Sequence, residues 1–214
     1  MMGDRDYKNL IKSAVDSIGR ELEPHIDVKD IKTIHLGEVV QCLRRSYFDR
    51  LDPKEVKRTG FNDLLTGLLR KLNYGTEPKS FDIDEIKLRG QADMVVDDAI
   101  IIFRSAEEPP EIPKASDVLY LNSCMWLYNK EDGVIIYITK DRSEVSFSVT
   151  KNKKMFEEII RRVRVLNNLL GEKKTPILEP SEECSFCQYY DRCYINMKMG
   201  RTIAITDLFG LKKD

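Results

Sequence analysis

Hydrophobic residues recur every three to four positions in five stretches of the chain, which is the spacing of an amphipathic helix. Helix signals flank several of these stretches. Ser116 and Thr150 are suitable N-caps, and Gly171 is a suitable stop. We therefore predict several helices that each bury one face. The predicted helices cover residues 4–22, 36–50, 53–72, 116–130 and 151–170.

In other stretches apolar and polar residues alternate, which is typical of a strand with one buried face. Short polar turns separate these stretches, such as Asp97-Asp98 and residues 140–142. Helices followed by a strand meander, and then by further helices and strands, predict an α/β fold with a mixed sheet flanked by helices. The predicted strands cover residues 81–88, 92–96, 99–104, 133–139 and 144–149, and residues 203–211 are predicted to add a final turn of helix.

The size of the chain is that of one domain. With 214 residues, 42% hydrophobic and 33% charged, residues 1–214 can bury a single core. We expect a helical N-terminal part (1–75), a core with most of the predicted strands (76–170) and a cysteine-bearing lobe with a tail (171–214). The net charge of −1 gives no general attraction to nucleic acid, so any DNA-binding surface must come from local clusters. The sequence lacks an apolar run long enough to span a bilayer, which predicts a cytoplasmic protein without membrane contact.

The cysteines are the strongest local signal. The chain has five, and three of them lie within ten residues as Cys184-x2-Cys187-x5-Cys193. An odd number in this arrangement does not suit a disulfide framework, whereas three thiolates at this spacing can converge on a metal centre. The pattern predicts an iron-sulfur cluster, which needs one more thiolate from elsewhere.

Cys42 and Cys124 are the two candidates for the fourth ligand. Cys124 lies mid-helix beside Met125 and Trp126, which favours a small buried hydrophobe. Cys42 is followed closely by Arg44 and Arg45, whose charges favour the thiolate, so we predict Cys42.

Three other interpretations of the cysteines remain. Four thiolates can bind zinc, although zinc sites usually come as two close pairs of ligands. A Cys-x-x-Cys redox pair is a further alternative, but it would leave Cys193 without a role. The cysteines can also be surface residues without a ligand role.

Three motifs together carry a family resemblance. They are the lone Cys42 in an Arg-Arg-Ser-Tyr-Phe context, the Gly90-Gln91-Ala92-Asp93 segment and the C-terminal cysteine triplet. In these motifs the chain resembles the CRISPR-associated RecB-like iron-sulfur exonucleases, the fourth Cas family. The resemblance implies a PD-(D/E)XK restriction-endonuclease fold, a 4Fe-4S cluster, and degradation of single-stranded DNA with Mg²⁺ or Mn²⁺. It also implies DNA ends and other CRISPR adaptation proteins as partners, and it is compatible with a homo-oligomer.

The same resemblance assigns the catalytic positions. The first metal-binding acid corresponds to Asp93. The second acid and the lysine, which should lie two residues apart on one strand face, align with Ile102 and Arg104. A helical histidine of the family aligns with Arg70. Its Gln-x3-Tyr motif becomes Tyr120-x3-Cys124 or Cys124-x3-Tyr128, depending on the register.

An isoleucine cannot bind a metal ion, and a guanidinium does not lose a proton at accessible pH. We therefore predict a nuclease fold with a decayed metal site, in which Asp93 is a vestigial or remaining ligand and Arg104 stands in the lysine position. One alternative is an active exonuclease with a rearranged site, whose missing carboxylate comes from Glu77, Glu107 or Glu108. Another is a protein-interaction module without catalysis.

A DNA-binding surface is predicted where basic and aromatic residues interleave. Residues 44–71 contain eight Lys or Arg against four acids, a mixture that suits backbone tracking with base stacking on single strands. Residues 151–164 add further cations, although an ordinary charged helix face explains these equally well. The predicted DNA-binding residues are Arg44, Arg45, Tyr47 and Arg70.

Overall fold

The computed structural model describes residues 26–52, 76–139, 141 and 143–193. The predicted helices over 4–22 and 53–72, the final helical turn over 203–211 and the candidate residue Arg70 lie outside these ranges. Within them the chain forms two sheets with helices packed against both. The predicted α/β fold with mixed strand pairing and flanking helices is therefore confirmed, although two sheets form where one was predicted. No helix of the described ranges is both long enough and apolar enough to cross a membrane.

The larger sheet has four strands in the order β4-β5-β6-β7. Its central pair, β5 and β6, is parallel, and both outer pairings are antiparallel. Helix α3 connects β5 to β6 and packs on the sheet, as a crossover between parallel strands requires. The strands are Met94–Val96 (β4), Ala99–Ser105 (β5), Asp132–Ile138 (β6) and Glu144–Thr150 (β7), and the helices are Ala115–Tyr128 (α3) and Lys153–Glu172 (α4).

The smaller sheet has three strands, Thr33–His35 (β1), Lys79–Ile83 (β2) and Ile86–Gly90 (β3), in the order β1-β3-β2. The single strand predicted over 81–88 is wrong, because the chain reverses between Ile83 and Ile86 into a hairpin. Asp84 makes this turn in the left-handed region, with φ of 54°, which Asp tolerates better than most residues.

The helix predicted over 36–50 is broken in two. Helix α1 covers Leu36–Val40 and α2 covers Leu43–Leu51, while Gln41 between them is extended. Arg162 of α4 stabilises the break, since its guanidinium donates to the carbonyl oxygens of Val39 and Gln41, both at 2.6 Å. These carbonyls would otherwise end a helix without partners. The break places Cys42 directly before α2.

Two predicted N-caps are also corrected. Ser116 lies inside α3, which begins after Lys114 without a side-chain cap. Thr150 is the last residue of β7, and Asn152 caps α4 instead, because its side chain accepts the N–H groups of Lys154 and Met155. At α4 the physical preference for a polar cap is kept, but the register moves by two residues.

Gly90 allows close packing at the end of β3. A Cβ at this position would lie 2.7 Å from Cδ1 of Leu127 and 3.0 Å from Cδ2 of Leu36. Both side chains come from helices that pack against this strand, so a larger residue would push them away. The glycine of the Gly-x-x-Asp segment thus has a packing role.

Candidate functional site

Two groups of side chains hold most of the predicted chemistry. The first is the cysteine cluster, which consists of Cys42, Cys184, Cys187 and Cys193. Cys184 lies in a short 3₁₀ helix, Glu182–Phe186, and Cys187 directly follows it. Cys193 lies in the next helical turn. Residues about 140 positions apart in sequence therefore meet at the α1–α2 break.

Electrostatics shows that the four thiols lie near one another. Burial raises the pKa of Cys193 above its ordinary value, Arg44 opposes this shift, and the thiols of Cys187, Cys42 and Cys184 add to it. All four cysteines are half-buried. Within the part of the chain that the structure describes, no group of three or more His, Cys, Asp or Glu side chains is placed so that it could hold a metal ion.

The other candidate thiol, Cys124, lies in the core. It is fully buried in α3, between Ser123 and Met125, which are also fully buried. Its interpretation as a small buried hydrophobe is confirmed. The side chain that reaches the cysteine triplet is that of Cys42.

Aromatic and polar contacts dock the cysteine triplet onto α2. The ring of Tyr189 lies 5.2 Å from that of Phe48, and its hydroxyl donates to Oδ1 of Asp49 at 2.9 Å. Gln188 donates to the same carboxylate oxygen at 3.0 Å. The guanidinium of Arg192 stacks on the Phe48 ring, 4.1 Å from its centroid. The segment that carries the cysteine triplet is therefore packed against α2.

Cys42 also lines an open groove of about 650 Å³. The start of α3 around Ser116 forms one wall, and the segment from Glu179 to Phe186 forms another. Phe186, between two cysteines of the triplet, is 87% exposed. Solvent and small molecules can therefore approach the cysteine cluster from this side.

The predicted DNA-binding residues divide into three kinds. Arg45 is exposed and makes a loose ion pair with Asp49 at 3.9 Å. Arg44 turns inward, and its Nε is buried without a hydrogen-bond partner among the described residues. Tyr47 is only 3% exposed and packs edge-on against Phe48, so its ring cannot stack on a base, and this prediction is wrong.

The cations of residues 151–164 are mostly engaged with other groups. Arg161 pairs with Glu158, Arg164 pairs with Asp84, and Lys153 pairs with Glu157. Arg162 is used at the α1–α2 break. Lys151 pairs with Glu131 and lies 4.6 Å from the Trp126 ring. These contacts favour an ordinary charged helix face over a DNA-tracking surface.

The second group is the carboxylate network, which consists of Asp93, Arg104 and Asp117. Asp93 follows β3, and its side chain is 2% exposed. Its Oδ2 accepts the backbone N–H of Phe103 at 2.9 Å and lies 3.4 Å from Nη1 of Arg104. The two residues that the sequence places at the catalytic positions are thus brought together.

The other side of the guanidinium faces Asp117 of α3. Nε of Arg104 donates to Oδ1 of Asp117 at 2.8 Å, and the Tyr137 hydroxyl donates to Oδ2 at 2.6 Å. Burial lowers the pKa of Arg104, but Asp93 and Asp117 raise it by more, so the pKa stays above its ordinary value. Burial and then the bond to Asp117 raise the pKa of Tyr137 as well. The arginine is charged and the tyrosine is neutral at physiological pH.

The position expected to carry the second acid lies in the core. Ile102 is fully buried, two residues before Arg104 on the same face of β5. Glu77, Glu107 and Glu108, the residues considered as migrated carboxylates, are exposed. The carboxylate that meets Arg104 is Asp117, which the sequence predictions missed.

A signal for Asp117 was available in the sequence. Arg104 alternates with Ile100 and Ile102, so its side chain points to the buried face of β5. A buried guanidinium needs a carboxylate partner, and the helix that follows this strand carries an acid in its first turn. An arginine on an apolar strand face therefore indicates that a second acid lies nearby in the fold.

Comparison with known proteins adds one curated relative. The chain is 25% identical over 196 residues to the CRISPR-associated exonuclease Cas4 of Saccharolobus solfataricus, a match that covers 81% of this chain and 94% of the relative. No family model matches the chain.

Solved structures support the fold. The crystal structure of SSO0001 superposes with a TM-score of 0.62 at 18% identity, covering 86% of this chain and 96% of that one, which shows a shared fold. An alkaline exonuclease from Laribacter hongkongensis gives a TM-score of 0.46 at 12% identity, covering 78% of this chain and 95% of that one; this score is too low to support an inference. The curated match over most of both chains confirms the resemblance to the CRISPR-associated exonucleases that the motifs predicted.

Proposed function

We propose that the chain is an iron-sulfur, DNA-binding relative of the CRISPR-associated exonucleases, with a PD-(D/E)XK type of core that has lost its divalent-metal nuclease site. One observation carries the proposal. The guanidinium of Arg104 lies between Asp93 and Asp117, where a nuclease of this type needs a divalent ion. The substrate class is single-stranded DNA or DNA ends, and other CRISPR adaptation proteins are candidate partners.

The cofactor that we propose for the cysteine cluster is a 4Fe-4S cluster. Four half-buried thiols lie near one another, and the buried Nε–H of Arg44 beside them lacks a protein partner in the described ranges. Sulfur atoms of a cluster accept such hydrogen bonds. Zinc would need four ligands around one point at about 2.3 Å, whereas a cluster spreads its thiolates over separate iron atoms. When bound, the cluster would tie α2 to the C-terminal segment.

The residues at the carboxylate network do not fit a divalent metal ion. Ile102 offers no ligand atom, and Arg104 already neutralises charge on both carboxylates. A divalent ion about 4 Å from the guanidinium would be repelled by about 8 kcal/mol at an effective dielectric constant of about 20. No hydrolytic step through a metal follows from this arrangement.

DNA binding is supported by the relative and by one surface. The curated relative is an exonuclease, a class of enzyme that acts on nucleic-acid ends. Arg45 is 44% exposed on α2, and the basic sequence continues after this helix. Arg70, predicted from the resemblance, belongs to that continuation, outside the described residues. Cations along such a surface would track the phosphate backbone.

The nuclease part of the proposal is tested on protein purified without oxygen. Iron, sulfide and zinc are counted, and the same sample is incubated with single-stranded DNA and Mn²⁺. We expect about four irons per chain and intact DNA. Digestion that Asp93→Ala abolishes would refute the loss of the nuclease site. It would favour the alternative, an active exonuclease that uses Asp93 and Asp117 as ligands.

The binding part is tested by titrating single-stranded DNA at several salt concentrations. We expect affinity to fall as salt rises, and we expect Arg45→Glu to weaken binding and reduce the salt slope by about one contact. Lys32→Glu is the control, because Lys32 is similarly exposed but pairs with Glu85 near β3. Binding that ignores salt, with Arg45→Glu equal to wild type, would leave a protein-interaction module as the better description.

A further inference from the structure

Strand β7 forms one edge of the four-stranded sheet. Among the described strands it pairs only with β6. It contains no proline or glycine, and its one charged residue is Glu144, at its first position. The edge strand β2 carries Lys79 and Asp82, and the edge strands β1 and β4 are only three residues long. Charged residues and short length protect an edge from pairing with a further strand, so β7 is the described edge with the least protection.

Half of the main-chain groups of β7 point away from β6. Two bonds that flank the ladder fix which half: the N–H of Thr139 donates to the carbonyl oxygen of Ser143 at 3.0 Å, and the N–H of Lys151 donates to that of Glu131 at 2.9 Å. Bonded and non-bonded pairs alternate along an antiparallel ladder, so the odd-numbered residues of β7 bond to β6. The residues whose N–H and C=O groups point outward are Glu144, Ser146, Ser148 and Thr150, and all four are exposed.

The centre of β7 is a palindrome, Val145-Ser146-Phe147-Ser148-Val149. A two-fold axis between two copies requires a surface that is complementary to itself. When two copies of β7 pair in antiparallel about an axis at Phe147, every residue of the palindrome faces a residue of its own kind. In this register the outward-pointing residues face one another, as main-chain hydrogen bonds between the copies require.

We infer that β7 binds a second copy of this chain by antiparallel strand pairing centred on Phe147. Two sheets of four strands then join into one continuous sheet of eight. The inference goes beyond the proposed function, since it depends neither on DNA binding nor on the cysteine cluster.

Side chains and charges agree with this pairing. The ring of Phe147 is half-buried and packs edge-on against Tyr137, with 5.9 Å between the ring centroids, so it is already oriented when the two Phe147 residues meet. Aromatic and β-branched pairs across strands stabilise a sheet. Glu144 faces Thr150 of the second copy and lies near its Lys151. A parallel pairing in the same register would instead place the two Glu144 carboxylates side by side.

Sedimentation equilibrium tests the inference on the full chain, purified without oxygen, kept reduced and freed of nucleic acid. We expect a reversible dimer that is mostly formed at about 100 μM. Ser146→Lys combined with Ser148→Lys places two lysines opposite each other at both serine pairs, and it should weaken the dimer at least about tenfold. Ser146→Glu combined with Ser148→Lys is the matched control. It places a glutamate opposite a lysine at both pairs, and it should keep the dimer.

A second pair of variants tests the main-chain bonds without added charge. Ser148→Pro removes one outward-pointing N–H and leaves the bonds to β6 in place, which an edge strand tolerates. It should weaken the dimer, whereas Ser148→Ala, which keeps the N–H, should not. Thermal melting shows that each variant is folded before its mass is compared.

Three results would overturn the inference. One is a wild-type chain that stays monomeric at about 100 μM. Another is a dimer that is equally strong in the variant with two lysines, in Ser148→Pro and in the wild type, since it would use another surface. The third is loss of the dimer in both charged double variants, which would rule out the register centred on Phe147.

Discussion

The cysteine cluster and the carboxylate network differ in how their charges are balanced. In the carboxylate network, a guanidinium lies within 2.8 Å of one carboxylate and 3.4 Å of the other, so the protein provides its own cation. In the cysteine cluster, four thiols meet beside Arg44, whose Nε has no partner in the described residues. The carboxylates of the first site are paired within the protein. The second site has a buried hydrogen-bond donor, Nε of Arg44, without a partner in the described residues.

This difference indicates which of the two sites would use a cofactor. Without a metal centre, burial and the neighbouring thiols keep the pKa of Cys193 high, so the thiol stays protonated at neutral pH. Binding of iron would displace that proton, and the affinity of the site should therefore rise with pH. The carboxylate network has no such requirement, because Asp93 and Asp117 are already paired with a cation that keeps its proton.

Loss of Cys42 should have the largest effect, because it breaks the cysteine cluster and leaves the carboxylate network intact. Cys42→Ser removes the proposed ligand that would connect α2 to the triplet across a loop of about 140 residues. In a loop-closure estimate, a cross-link of that loop length lowers the entropy of the unfolded chain and so stabilises the folded state by about 5 kcal/mol. We expect the variant to lose its iron and to unfold at a markedly lower denaturant concentration.

Cys124→Ala is the matched control for this prediction. Cys124 is fully buried in α3, so the change should cost some packing energy but leave the iron content unchanged. Iron analysis and chemical denaturation on both variants make the measurement. Iron retained by Cys42→Ser and lost by Cys124→Ala would reverse the ligand assignment.

Arg162 should come second, because it holds the backbone that positions Cys42. Its side chain is 13% exposed and donates to Val39 and Gln41. Arg162→Gln leaves carbonyls at the end of α1 without a charged donor, at a cost of about 3 kcal/mol. The neighbouring Arg161 is 60% exposed and pairs only with Glu158 among the described residues, so Arg161→Gln should cost less than about 1 kcal/mol.

Urea unfolding of the two variants measures this difference, and iron release to a chelator shows whether it reaches the cysteine cluster. We expect faster release from Arg162→Gln and wild-type release from Arg161→Gln. Equal stability of the two variants would mean that the α1–α2 break does not depend on Arg162. In that case Cys42 is positioned by the docking of the triplet on α2 alone.

Local patterns in the sequence predicted most elements of the fold but not their interruptions. Alternation located β5, β6 and β7, and helical spacing located α3 and α4. The hairpin turn at Asp84 was not predicted because apolar and polar residues alternate on both sides of it and no Gly or Asn marks the reversal. The break before Cys42 was not predicted for a different reason. It is stabilised by Arg162, a residue about 120 positions away, which no local pattern can reveal.

The candidate site shows the same limit. Residue spacing identified the cysteine triplet, and the Gly-x-x-Asp segment identified Asp93, because both are short motifs. Asp117 belongs to no motif and reaches Arg104 only through the packing of α3 on β5. Tyr47 was assigned to DNA because it lies in a basic segment, but its helix turns the ring into the core. Residue type and spacing suggested the chemistry, and tertiary packing decided which side chains meet.

Arg44 should have the smallest effect, and it tests the unused donor of the cysteine cluster directly. Arg44→Gln removes a positive charge and a buried N–H while the four thiols remain. Charge and hydrogen bonds near the sulfur atoms stabilise the reduced, more negative state of a cluster. We therefore expect full iron content and a reduction potential lower by about 30 to 60 mV. Arg45→Gln, on the exposed side of α2, is the matched control and should leave the potential unchanged. A shift in Arg45→Gln, or none in Arg44→Gln, would mean that the buried Nε does not serve the cluster.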